Sequence, residues 1–157
     1  DMIRTNEVQF IWQTGKYYYK DICNALKAQA PLPNLYVTDF ISDMGVAYQA
    51  SDLVISRAGA SSISEFCLIG KPVILVPSPN VAEDHQTQNA MALVNKNAAI
   101  YVKDVEAKDL LLEQAMKTVQ NDAKLESLSE NIMKLALPNS AEIIAQEVLK
   151  LAARQQH

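Results

Sequence analysis

Short apolar runs alternate with amphipathic stripes along this chain, and that alternation constrains its fold more than any other feature. "VQFIWQ" (Val8–Gln13), "LYVTDF" (Leu35–Phe40), "DLVIS" (Asp52–Ser56), "PVILVP" (Pro72–Pro77) and "AAIYV" (Ala98–Val102) have the length and apolar character of strands. Between them, Tyr18, Ile22, Ala25 and Leu26 follow the i, i+4, i+7, i+8 spacing of one helix face. Met44, Ala47 and Tyr48 mark a short helix, Ile63, Phe66 and Cys67 another, and Ala90, Leu93 and Val94 a third. Strands that alternate with helices and are themselves continuously apolar predict an α/β fold, a Rossmann-like parallel sheet with helices on both faces. After Val102 the pattern is helical: Leu112, Ala115, Met116 and Val119 in one stripe, Leu125, Leu128, Ile132 and Leu135 in a second, Ile144, Val148 and Leu151 in a third. Pro138 precedes the last stripe, and Asn139 with Glu142 fits a helix start closed by a capping box. Parallel sheets of this kind bind ligands at the carboxyl ends of their strands, which directs attention to the loops after Gln13, Phe40, Ile55, Val76 and Val102.

The 157 residues are read as one domain, with residues 104–157 as its C-terminal helices. A formal net charge of −4 argues against a nucleic-acid partner and leaves no polybasic membrane anchor. The two cysteines, Cys23 and Cys67, have no CxxC spacing and are expected to be reduced, buried thiols of a cytosolic protein. No apolar run approaches the roughly 20 residues that span a bilayer. "KYYYK" (Lys16–Lys20) is expected to turn Tyr18 inward and leave its two neighbouring tyrosines half exposed, rather than to meet a membrane. The opening "DMIRTNEVQF" reaches a strand within a few residues, and the chain is expected to be a fragment of a longer one.

The turn after "DLVIS" carries the most information. In "SRAGASSISE", Gly59 is expected to take a positive φ in a tight strand-to-helix turn. Ser61 and Ser62 stand where helix N-caps belong, and Ser62-Ile63-Ser64-Glu65 fits a capping box in which the Glu65 carboxylate closes on a backbone N–H. The same geometry supports a second reading. Free N–H groups at a helix start make an anion site, small side chains admit a phosphate, and Glu65 one turn in can accept hydrogen bonds from sugar hydroxyls beside it. The residues leave both readings open. Downstream, "SPNVAEDHQTQNA" leads into another helix with Asp84 as its expected N-cap, and His85, Gln86 and Asn89 in its first turns are either sugar-reading groups or simply solvated ones. His85 and His157 are the only histidines and neither has partners at ligand spacing, so no metal is expected. No serine lies in a G-x-S-x-G elbow.

Taken together, "SRAGASSISE", "GKPVILVPSP" and "EDHQTQNA", with "WQTGK" and "FISDM" upstream, closely resemble the C-terminal half of the MurG family. The combination of R-x-G-A-x-x-x-x-E with D-H-Q-T-x-N-A about 20 residues later is specific, and the resemblance covers nearly the whole chain, most densely from Val8 to Val102. Members of that family transfer N-acetylglucosamine from UDP to an undecaprenyl-pyrophosphoryl-muramoyl-peptide in peptidoglycan synthesis. The resemblance implies an inverting, metal-independent transfer with UDP-N-acetylglucosamine as donor and no cofactor. It implies that Phe40, Ile41 and Met44 hold the uracil, with backbone groups of Ile41 on the base edge, and that Glu65 accepts the ribose hydroxyls. Gly59, Ala60, Ser61 and Ser62 would face the diphosphate and the sugar, and His85, Gln86 and Asn89 the N-acetylglucosamine. Many relatives carry Gln where this chain has His85.

The family folds as two Rossmann-like domains of the GT-B type facing across a cleft, and the resemblance covers the second. The first domain would bring the lipid-linked acceptor, the general base and the membrane-docking patch, so no catalytic residue is expected here and the fragment alone is expected to be inactive. The full-length enzyme would sit peripherally on the cytoplasmic face of the inner membrane. The G-G-S-x-G-A loop that opens the second domain, and the central strand before it in a 3-2-1-4-5-6 sheet, have no counterpart in these residues. "VQFIWQ" and "DLVIS" then either pair directly or flank a gap, and self-association through the incomplete sheet is expected. Two rival readings share the architecture. One is a stand-alone donor-binding subunit of a two-chain lipid-linked N-acetylglucosamine transferase, which should begin with the Gly-rich loop. The other is a UDP-N-acetylglucosamine epimerase-like domain, which calls for additional acids. A third, a non-enzymatic flavodoxin-like or receiver-like module, needs an acidic cluster or flavin loop at the strand ends.

Overall fold

The computed structural model describes residues 7–79 and 84–154. Its elements alternate as the sequence predicts: β1 (Phe10–Gln13), α1 (Lys16–Lys27), β2 (Leu35–Thr38), α2 (Met44–Ala50), β3 (Val54–Ser56), α3 (Ala60–Ile69), β4 (Val73–Leu75), α4 (His85–Val94), β5 (Ile100–Tyr101), α5 (Asp104–Val119), α6 (Asp122–Met133) and α7 (Ser140–Arg154). Local chemistry sets several boundaries. The Asp43 carboxylate accepts the Val46 N–H at 3.0 Å to start α2, and Asn121 Oδ1 accepts the Lys124 N–H at 3.0 Å to start α6. Gly70 ends α3 in the left-handed region at φ 65, where a Cβ would also lie 2.6 Å from Met133 Cγ.

The strands form two parallel sheets. β1 pairs with β2 from Phe10↔Leu35 to Gln13↔Thr38. β3, β4 and β5 form the second sheet in that order, with Val54↔Val73, Ser56↔Leu75 and Ile74↔Ile100 in register. Among the described residues β1 and β3 do not pair with each other, which removes the direct-pairing alternative. The break falls between the two strands that would flank the central strand of a 3-2-1-4-5-6 sheet.

The core belongs to the second sheet. Phe66, Cys67, Val73, Leu75, Ala90, Leu93 and Ile132 form one buried cluster between the sheet and α3, α4 and α6. Ile74, Val76, Val102 and Ala115 form a second on the other face, under α5. The central strand β4 is therefore enclosed on both faces, as a continuously apolar strand requires. Neither α1 nor α2 has a buried residue. The apolar stripe of α7 is laid out as predicted, but Ile144 and Val148 on it are exposed.

Two local expectations change. Tyr18 does not turn inward: it is 60% exposed and stacks edge-on against Tyr17, while Tyr19 is the least exposed of the three tyrosines. The half-covered face of α1 runs through Ile22, Cys23 and Leu26, and the residue one turn earlier on that face is Tyr19, not Tyr18. Cys67 is buried and its thiol pKa is pushed up by that burial, whereas Cys23 on α1 is only partly covered; both thiols are free.

Candidate functional site

The Ser56↔Leu75 register puts the carboxyl ends of β3 and β4 side by side, so the chain entering α3 and the chain running toward α4 leave the sheet at one end. The helix α3 begins earlier than its serines imply. Gly59 is the N-cap, and the first backbone bond runs from Ile63 N–H to Gly59 C=O at 3.0 Å. Ser62 is thus the third helical residue and Glu65 the sixth, and the capping box does not form. Gly59 itself is extended at φ −69, ψ 141, not at positive φ. An added Cβ there would meet nothing nearer than Ser62 Oγ at 3.9 Å, so the glycine is not required by backbone strain and serves to keep the turn bare. No side chain caps α3, so the N–H groups of Ala60, Ser61 and Ser62 open the helix without the intrahelical acceptors that later residues have.

This turn is held by its neighbours through the backbone. Arg57 Nη1 donates to the carbonyls of Val76 at 3.1 Å and Pro77 at 3.3 Å, and forms an ion pair with Asp104 at the start of α5. The buried Ala58 is clamped at both of its polar atoms: its N–H donates to Gln86 Oε1 at 3.3 Å, and its C=O accepts from Asn89 Nδ2 at 3.1 Å. Gln86 Oε1 also accepts the Ser78 N–H at 2.9 Å. Gln86 and Asn89, expected at the sugar, are thereby brought to the site but spend one amide atom each on fixing the turn. Their other amide atoms, Nε2 of Gln86 and Oδ1 of Asn89, make no hydrogen bond within the described residues. His85 is exposed at the first position of α4. Asp84 precedes it in the N-cap position, but in the left-handed region at φ 54 and without a side-chain capping bond. Residues 80–83 of the intervening loop, like His157, lie outside the described residues.

The loop between β2 and α2 lies at the corresponding end of the first sheet. Phe40 is 62% exposed, and its carbonyl accepts from Thr38 Oγ1 at 3.0 Å. The Ile41 N–H, expected on a base edge, donates to Gln13 Oε1 at 2.8 Å, so β1 shapes this loop. Ile41 and Met44 are half-buried.

Glu65 links the two parts. Its Oε2 accepts from the hydroxyl of Tyr48 on α2 at 3.1 Å. The Tyr48 ring packs edge-on against the buried Phe66, with centroids 5.7 Å apart. Burial, and then the hydrogen bond to Glu65 and its charge, push the Tyr48 pKa up to about 12, so the phenol keeps its proton and donates. Sequence reading placed Tyr48 on a helix face and Arg57 in a turn; it missed the Tyr48 hydroxyl, the Arg57 clamp and Asp104. None of these contacts has a local spacing to signal it: Tyr48 and Glu65 are 17 residues apart, Arg57 and Asp104 47.

The arrangement can bind an anion against the amides of Ala60–Ser62 and accept hydroxyl hydrogen bonds at Glu65. Among the described residues no three His, Cys, Asp or Glu side chains gather as a metal site would need, and no helix is long and apolar enough to cross a membrane.

Known proteins resemble this chain over nearly its whole length. The family model for the glycosyltransferase family 28 C-terminal domain matches residues 2–149. A curated relative from Bacteroides thetaiotaomicron, a UDP-N-acetylglucosamine–N-acetylmuramyl-(pentapeptide) pyrophosphoryl-undecaprenol N-acetylglucosamine transferase, is 71% identical over 94% of this chain and 40% of its own length. One of the same name from Bacteroides fragilis is 68% identical over 95% of this chain and 39% of its own length. The crystal structure of Acinetobacter baumannii MurG superposes with a TM-score of 0.78 at 30% identity, covering 95% of this chain and 46% of that one. The chain spans about 40% of the length of the curated relatives it matches.

Proposed function

The chain belongs to the glycosyltransferase family 28 C-terminal domain family, and from that membership we propose that it is the UDP-N-acetylglucosamine-binding half of an inverting glycosyltransferase. In this reading the full-length protein transfers N-acetylglucosamine to a lipid-linked muramoyl-peptide for peptidoglycan. The observation that carries the reading is the pairing of an uncapped helix start, Ala60–Ser62, with a carboxylate one turn further, Glu65, at the carboxyl ends of two parallel strands. The amides at the start of α3 take the diphosphate, helped by the positive end of the helix. The Glu65 carboxylate takes the ribose hydroxyls, and the loop of Phe40, Ile41 and Met44 takes the uracil. His85, Gln86 and Asn89 face the sugar.

The chemistry follows from charge. As the bond from the sugar to the diphosphate breaks, negative charge grows on the departing UDP. Preorganised N–H donors at α3 stabilise that charge more than they stabilise the ground state, which lowers the barrier. The clamp of Arg57, Gln86 and Asn89 keeps those donors fixed, so little reorganisation is needed at the moment of reaction. We read the transfer as metal-independent, with the helix start supplying the stabilisation. The general base and the acceptor site lie on residues outside this chain, so the half alone is inactive. The undecaprenol in the relatives' names supports a full-length protein working peripherally at the cytoplasmic face of the membrane, where a nucleotide-sugar donor and a lipid-linked acceptor meet.

Calorimetric titration of the full-length protein with UDP-N-acetylglucosamine, UDP, UDP-glucose and ADP tests the reading. Uridine nucleotides are expected to bind and ADP to fail. Glu65→Ala, which removes a charged hydrogen-bond acceptor, is expected to weaken UDP binding by about tenfold or more. Equal binding of ADP and UDP, or a Glu65→Ala variant that binds UDP as the parent does, would sink it.

A further inference from the structure

Among the described residues Glu65 has one hydrogen-bond partner, the Tyr48 hydroxyl, which occupies Oε2 and leaves Oε1 without a donor. Tyr48 is well placed to hold it. Its ring is fixed against Phe66, which is 1% exposed and is the residue after Glu65 on α3. The phenol therefore rises from the core beside the base of the carboxylate it bonds. Tyr48 also sits on α2, a seven-residue helix that begins at Met44 and is capped by Asp43. A short helix capped from the loop of Phe40 and Ile41 thus carries the group that fixes Glu65.

We propose that Tyr48 is a positioning residue for nucleotide recognition: by donating to Oε2 it holds Glu65 with Oε1 presented to a ribose hydroxyl, and it ties the base-binding loop to the ribose-binding carboxylate. The proposal rests on the donor-site reading above and adds to it a residue that touches no substrate. A carboxylate on an exposed helix face has several rotamers, and fixing one in advance removes that entropy from the cost of binding. The benefit falls on ligands that use Glu65. A ligand without the ribose hydroxyl gains nothing from an oriented Glu65.

The experiment uses Tyr48→Phe in the full-length protein, which keeps the ring and its contact with Phe66 and deletes the hydroxyl alone. UDP and 2′,3′-dideoxy-UDP are titrated into the parent, Tyr48→Phe, Glu65→Ala and the double variant. The parent is expected to prefer UDP, and Tyr48→Phe to weaken UDP by about fivefold while leaving 2′,3′-dideoxy-UDP nearly unchanged. The double variant is expected to bind UDP no worse than Glu65→Ala, because the two residues act as one unit. Unchanged discrimination in Tyr48→Phe, or equal weakening of both ligands with a lowered melting temperature, overturns the positioning role while the donor-site reading stands. If the parent does not discriminate the ligands, or Glu65→Ala does not lower UDP affinity, the donor-site reading fails and the proposal falls with it.

Discussion

Two largely apolar parallel strands, β4 and β1, have opposite surroundings in this molecule. In β4, Val73, Ile74 and Leu75 are each 0% exposed. In β1, Ile11 is 50% and Trp12 44% exposed, and Tyr36 on the neighbouring β2 is 64% exposed. The difference lies in neighbours rather than in residue type. β4 has a strand on each side and helices over both faces, whereas β1 has one strand partner, and its helix α1 buries nothing. A parallel strand reaches burial only when the sheet continues past it and both faces are covered, and an isolated pair of strands is marginal in water. Among the described residues every buried hydrophobic residue lies between Ala58 and Ile132. Sequence pattern therefore forms the elements in both halves, and continuity of the sheet decides which of them pack.

The sharpest way to break that comparison is to make the same substitution in both strands. Ile74→Ala is expected to cost about 2–5 kcal/mol of stability, the range for truncating a fully buried aliphatic side chain. Ile11→Ala is expected to cost under about 1 kcal/mol, since a half-exposed side chain leaves little cavity and loses little burial. Urea unfolding of the two variants of this chain checks the pair. Similar costs would mean that β1 is packed as tightly as β4 and that the contrast is wrong.

The same contrast explains what could be read from the sequence. All five strands and seven helices were legible, because alternation and helical stripes are local properties of the chain. Tyr18 was misplaced because two apolar stripes overlap on α1, one through Tyr18, Ile22 and Leu26 and one through Tyr19, Ile22, Cys23 and Leu26, and only the neighbours that cover the helix select the second. At the site, the positions of Glu65, Gln86 and Asn89 followed from strand-to-helix turns. The capping box failed for a local reason: Gly59, with no side chain to signal a cap, starts α3 ahead of Ser62. The bonds of Gln86 and Asn89 to Ala58 were beyond reach because they cross from one βα turn to the next, 28 and 31 residues away.

Those bonds give the next prediction, of intermediate size and within the well-packed half. Gln86→Ala removes the amide oxygen that accepts from the buried Ala58 N–H and from the Ser78 N–H. An unsatisfied buried donor costs about 1–3 kcal/mol, and the loss is expected to appear both as lower stability and as weaker UDP binding, since the start of α3 loses its anchor. Gln86→Glu keeps an acceptor in place and is expected to recover stability. Denaturation and titration of the two variants measure this; full UDP affinity in Gln86→Ala would show that the turn holds its shape without the clamp.

The smallest expected effect lies where the two halves are tied, at Tyr48. Its pKa is pushed from 10.0 to about 12, first by burial, then by the hydrogen bond to Glu65 and by the Glu65 charge. The sign follows from linkage. Below pH 10 the phenol is protonated in both folded and unfolded chains and contributes no pH dependence. Between pH 10 and 12 the unfolded chain releases the proton while the folded chain retains it, so this group makes stability fall as pH rises through that window. Tyr48→Phe lacks the group and is expected to lose less stability over the same interval, by a small margin because the side chain is only half-buried. Phenolate absorbance, taken as parent minus Tyr48→Phe, isolates this tyrosine from Tyr19, whose own pKa is raised chiefly by its hydrogen bond with Cys23. Glu65→Gln then divides the causes. The amide removes the charge and weakens the hydrogen bond, while burial remains, so the Tyr48 transition is expected to move down toward 10 without reaching it. A transition unmoved by Glu65→Gln would mean that the hydroxyl does not face Glu65 in solution, and the proposed tie between the loop of Phe40 and Ile41 and the Glu65 carboxylate would be lost with it.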